Sequence, residues 1–148
     1  MQNNNYPKWL VPLEIARKLT EIGITDSEIL VCNDKYYGWY KAEQMYYIDR
    51  WGDTYTALEV SKDYNLEPTF TWEQVFEWFR KKDFITNLYY KEDLLSEKTI
   101  FIGEICNTKA DIISIIHECS TYEEAREALV NKLIKVYKKK SKNVYKRR

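Results

Sequence analysis

"FITNLYYKEDLLSEKTIFIGEICNTKADIISIIHECS", residues 84–120, decides the fold. Three runs rich in β-branched and aromatic residues, 84–90, 99–105 and 111–119, are separated by the polar links "KEDLLSEK" and "CNTKA". Runs of that composition read as strands, and links that short join antiparallel neighbours. The segment predicts a three-stranded meander. Alternation places Phe84, Leu88 and Tyr90 on one face of the first strand and Ile85 and Tyr89 on the other. In the second, Phe101 and Ile105 oppose Ile100 and Ile102; in the third, Ile112 and Ile116 oppose Ile113 and Ile115. Both faces are apolar, so a cover is expected over each.

Amphipathic helices flank this meander. In "FTWEQVFEWFRKK", residues 70–82, Thr71 and Gln74 have the spacing of a capping box, and Phe70 and Val75 that of a hydrophobic staple. At 100° per residue Trp72, Val75, Phe76 and Phe79 form a core stripe, with Trp78 off it as an edge ring or a contact residue. The last helix, 121–138, opens on a second capping box, Thr121 and Glu124, with Glu123 and Glu124 set against the positive helix N-terminus. Tyr122, Ala125, Leu129, Leu133 and Val136 make its apolar stripe, widened by Val130 and Ile134.

The N-terminal half is less regular. "PLEIARKLTEI" spaces Ile15, Ala16, Leu19 and Ile22 on one helical face, with Pro12 at the first helical position and Gly23 just past the end. Strands are expected near 28–32, 36–41 and 45–49; residues 52–68 read as a short helix or an irregular connection ending at Pro68. The fold class is α+β: an antiparallel sheet with a helix-β-β-β-helix C-terminal unit and an N-terminal helix. A chain of 148 residues supports one such domain over 1–138, followed by a basic tail, 139–148, too poor in apolar residues to pack.

Composition excludes most catalytic chemistries. His117 is the single histidine, so multi-histidine metal sites cannot be built. His117 and Cys119 share a strand face about 7 Å apart, beyond direct nucleophile–base contact. Cys32, Cys106 and Cys119 are odd in number and widely spaced, which supports neither a disulfide framework nor a zinc motif. Four scattered glycines form no phosphate-cradling loop. The expectation is a non-enzymatic binding protein with no cofactor or metal. With no membrane span and no secretory signal, it is placed in the cytoplasm.

Two surfaces are candidates for binding. "YYGWYKAEQMYY" gathers Tyr36, Tyr37, Trp39, Tyr40, Tyr46 and Tyr47, rings suited to a host-protein interface or to stacking on a small nucleotide-like ligand; Trp78 is added to this set. The second is charge. The 23 cations balance 23 anions, but residues 1–131 hold 14 cations against all 23 anions, and nine cations follow. Lys138, Lys139, Lys140, Lys142, Lys146, Arg147 and Arg148 are the nucleic-acid candidates of that run. Self-association as a homo-oligomer is also open.

The order helix, three strands, helix over 70–138 resembles the double-stranded RNA-binding domain. That family uses a GPxH-like loop and a KKxAK-type helix start. Here "KEDLLSEK" and "TYEEAREA" stand in those places, and Glu123 and Glu124 replace the phosphate-binding lysines. The resemblance implies the order of elements without RNA binding. "YPKWLVPLEIARKLTEIGI", "TWEQVFEWFRKK" and "TYEEAREALVNKLIKVYK" are similar to small uncharacterised proteins of gut-bacterial phages and mobile elements, which implies an intracellular accessory protein of phage origin.

Overall fold

The computed structural model describes residues 8–24, 29–32, 38–41, 46–48, 54–56 and 66–146. The elements run α1 (Leu13–Glu21), β1 (Ile29–Cys32), β2 (Gly38–Lys41), β3 (Tyr46–Ile48), β4 (Thr54–Thr56), β5 (Leu66–Thr69) and α2 (Trp72–Lys81), then β6 (Ile85–Asp93), β7 (Lys98–Cys106), β8 (Ile112–Cys119) and α3 (Tyr122–Lys146). The class is α+β. The strands form two antiparallel sheets, β4-β3-β2-β1-β5 and β6-β7-β8, where the sequence suggested one. The chain divides into two compact units, Met1–Trp72 and Glu73–Arg148.

In the first unit α1 buries Ile15, Ala16 and Leu19, the face its spacing predicts. Pro12 occupies the N-cap rather than the first helical position. The helix ends in a Schellman motif: Gly23, at φ 118°, donates to Thr20 O, and Ile24 donates to Leu19 O. Only a residue without a Cβ takes that φ without strain. Val11 N–H donates to Phe70 O and the buried Thr69 hydroxyl donates to Val11 O, both at 2.9 Å. The Trp72 indole N–H donates to Lys8 O at 2.9 Å. Leu10, Val11, Phe70 and Trp72 are buried along this seam.

The stretch 52–68 holds neither a helix nor an irregular link ending at Pro68 in its described parts. Thr54–Thr56 is β4, and Pro68 lies inside β5 opposite Leu30. Proline cannot donate to a ladder, so it argues against a central strand; β5 is an edge strand, where one side needs no partner.

In the second unit the meander forms as expected, with Leu88 opposite Gly103 and Gly103 opposite Ile116. Gly103 identifies the covered face: a Cβ there would lie 3.1 Å from Leu129 Cδ1 of α3. A side chain at this position would therefore crowd Leu129 and require it to give way. Ala125, Leu129, Val130 and Leu133 are fully buried in the same helix. The opposite sheet face carries Tyr89 and Ile115, exposed by 42% and 38%, but also Ile102, which stands opposite Tyr89 and is 4% exposed, so the expected second cover is partial. Alternation also fails at the start of β8. Ile105 opposes Ser114 and Cys106 opposes Ile112, a bulge that leaves Ile113 unpaired.

Both predicted helix starts can be compared with the coordinates. Thr121 Oγ1 accepts the Glu124 N–H at 3.1 Å, while the Glu124 carboxylate accepts the Ser120 N–H at 3.2 Å rather than returning to Thr121. Trp72, Val75 and Phe79 are buried and Phe76 is half-buried, as the stripe requires. Substituting Gly103→Val is expected to destabilise the protein by about 2 kcal/mol through overpacking against Leu129. Loss of the cap in Thr121→Ala should cost about 1 kcal/mol. Urea denaturation measures both, and a Gly103→Val variant as stable as wild type would contradict the close approach of α3.

Candidate nucleic-acid interface

The chemistry of the second unit concentrates where α2 ends and α3 begins its last turns. α2 stops in a second Schellman motif. Asp83, at φ 73°, donates to Arg80 O at 3.1 Å and Phe84 donates to Phe79 O at 3.0 Å. Aspartate tolerates this left-handed conformation better than most residues. Phe79 and Phe84, the two residues such motifs bring into apolar contact, lie with ring centroids 6.4 Å apart. Tyr137 of α3 completes the cluster at 6.3 Å from Phe79 and 6.4 Å from Phe84.

Trp78 belongs to this cluster. Its half-buried ring meets Phe79 at 5.1 Å and Tyr137 at 5.2 Å, both edge-on, and Lys82 Nζ sits 5.2 Å above it. Lys140 Nζ stands 5.1 Å over Phe84. The rings thus carry one cation from each side, Lys82 just past the end of α2 and Lys140 of α3. Trp78 and Lys140, assigned to separate surfaces from the sequence, border the same ring cluster.

The basic run does not leave the fold at residue 139. α3 continues through Lys138, Lys139, Lys140 and Lys142 to Lys146; Arg147 and Arg148 lie outside the described residues. Lys138, Lys139, Lys140 and Lys142 are exposed. Helical geometry sorts them. Lys132, Lys135, Lys139 and Lys142 recur at i, i+3, i+7 and i+10, so they fall within about 80° of arc over about 15 Å of helix. Leu129, Leu133 and Val136 lie about 100° away on the side facing the sheet. Lys140 is turned toward that side, which is why it reaches Phe84. Lys132 and Lys135 were not singled out from the sequence, although the three-four alternation of lysines was a usable signal.

Electrostatics agree with the placement. The second unit contains 16 Lys and Arg against 12 Asp and Glu, and the first holds the remaining 7 against 11. Two carboxylates lie at the basic end: Glu77, paired with Arg80, and Asp83. Hydrogen bonds from Thr108, including its N–H at 2.9 Å, hold the Asp83 carboxyl below the usual range, and Lys140 and Lys109 add smaller effects in the same direction.

The other candidates stand as follows. Trp39 and Tyr40 lie in β2, with Trp39 opposite Ile48; Tyr46 and Tyr47 lie in β3, opposite Thr56 and Tyr55. Their side chains, and the whole of Tyr36 and Tyr37, are outside the described residues. His117 is placed in β8 by its backbone alone. Burial, with a smaller contribution from Glu124, pushes the Cys119 thiol up, which disfavours a thiolate. Among the described residues no group of three or more His, Cys, Asp or Glu side chains is arranged to hold a metal ion. None of the described helices is long and apolar enough to cross a membrane. Comparison with protein-family models, curated proteins and solved structures finds no match.

A pH prediction follows from Asp83. Its folded-state value is depressed, so the stabilisation is present above the unfolded value, about 3.9, and is lost as pH falls through the folded value. Asp83→Asn keeps a residue suited to positive φ and removes the titration. Thermal denaturation across acidic pH should give a shallower acid limb for Asp83→Asn than for wild type. Superimposable limbs would show that the Thr108 contacts do not distinguish the two charge states.

Proposed function

We propose that this is a non-enzymatic binding protein whose second unit engages nucleic acid through phosphates. The observation that carries the reading is the lysine ridge Lys132, Lys135, Lys139 and Lys142, on a helix whose apolar side, about 100° away, is committed to the sheet. A solvated charge run needs no helical register, whereas these four cations share one face of α3. Phosphate contacts of this kind are salt-dependent and independent of sequence.

A membrane surface is a poorer fit to the same charges. Helices that bind bilayers insert an apolar face, and Leu129, Val130 and Leu133 are fully buried within the protein. A host-protein or nucleotide-like partner at the aromatic strands of the first unit remains a separate reading, carried by the sequence of 36–47 alone. A phage accessory role, which the resemblance of the helical segments would imply, is a compatible setting for this proposal: a small intracellular protein that acts by occupying nucleic acid rather than by chemistry.

Fluorescence anisotropy with a labelled oligonucleotide across a salt series tests the proposal. Wild type should bind with a steep salt dependence, and Lys135→Gln/Lys139→Gln/Lys142→Gln should bind more weakly. Each phosphate contact removed lowers the slope of log K against log salt by about 0.9 for duplex DNA or about 0.7 for a single strand. Lys91→Gln/Lys98→Gln, at the other end of the unit, should leave affinity unchanged. Equal affinity and slope for wild type and the triple variant would reject the ridge.

A further inference from the structure

The two edges of the three-stranded sheet differ in kind. The β6 edge carries exposed Asn87, Lys91 and Glu92 and ends at Asp93, and its Tyr89 hydroxyl donates to Glu104 Oε1 at 2.9 Å. Charges of this sort are what proteins place on an edge to prevent pairing. The β8 edge carries a single charged residue, Glu118, near its end. Ile112 to Ile116 contains no charged residue, and Ile112, Ile113 and Ile115 are exposed by 56%, 42% and 38%. β8 pairs with β7 and with no other described strand.

We propose that β8 is a self-association edge, and that its occupant is β8 of a second copy of this chain, paired antiparallel about Ile115. The charge pattern selects this partner. With Ile115 opposite itself, Ser114 stands opposite Ile116, Ile113 opposite His117, Ile112 opposite Glu118 and Asp111 opposite Cys119. Directly opposite positions hold no like charges; Asp111 of one copy and Glu118 of the other stand one position apart at each end of the paired region. Such a two-fold contact is isologous and closes at two copies. Pairing β8 to β6 would instead be head-to-tail and would grow without limit, and the charged β6 edge opposes it. The bulge at Ile113 twists the beginning of β8, while Ser114 to Ile116 pair regularly with β7 and form the centre of the contact. The exposed Ile115 side chains are then brought together across the axis, with each Ile113 close by.

Sedimentation equilibrium of the full chain, over a hundredfold range of concentration, tests the inference. Wild type should shift from monomer to dimer and stop there. Ile115→Lys should remain monomeric at concentrations where wild type is dimeric, with unchanged circular dichroism because the side chain is exposed; Ile113→Lys should weaken the dimer in the same direction. Residues directly opposite in an antiparallel pair have Cα atoms about 4.5–5.5 Å apart, inside the range a disulfide bridges. Ile115→Cys, treated with the thiol oxidant diamide, should therefore form a covalent dimer beyond the wild-type background, and Asn87→Cys on the other edge should not. A monomer at every concentration, a dimer indifferent to both lysine substitutions, or open-ended assembly would overturn the proposal.

Discussion

The seating of α3 on β7 at Gly103 sets the geometry of the second unit. Replacing hydrogen by a methyl group there would place it 3.1 Å from Leu129. The helix lies as low as it does because glycine leaves that space. Full burial of Leu129 and Leu133, which contributes roughly 1.5–3 kcal/mol for each side chain, fixes the rotation of α3 about its own axis. Rotation, in turn, decides which lysines reach solvent together. The same apolar contact that stabilises the unit thereby aligns Lys132, Lys135, Lys139 and Lys142.

Rings tie α2 to that arrangement. The Schellman turn at Asp83 brings Phe84 back beside Phe79, and Tyr137 closes the group. Edge-on ring contacts of this type add about 0.5–1.5 kcal/mol each beyond the area they bury. Two cations cap the cluster, Lys82 over Trp78 and Lys140 over Phe84. Trp78 is thus engaged by Phe79, Tyr137 and Lys82, which makes it part of the packed cluster rather than an open platform for a base.

Much of this was legible in the sequence because its signals are local. The meander follows from strand composition and short links, α3 from a capping box and a 3.6-residue stripe, and the end of α1 from Gly23. Three features were hidden, each for a physical reason. Pro68 reads as a strand breaker, and only the edge position of β5 makes it acceptable. Asp83 at the left-handed position is unusual chemistry for a cap, so the second Schellman motif escaped notice. The extent of α3 was cut at 138 because "SKNVYKRR" offers little to bury, yet the helix continues to Lys146. For the candidate site the residue types were visible, but the convergence of Trp78, Lys82 and Tyr137 depends on tertiary contacts no spacing rule encodes.

Nuclear Overhauser contacts between the Leu129 methyl groups and the Gly103 α-protons test the central claim most directly. The account predicts strong cross-peaks, since a Cβ position at Gly103 lies 3.1 Å from Leu129 Cδ1. A fully formed α3 with those cross-peaks absent, and with Lys135 or Lys139 contacting β7 instead, would contradict it.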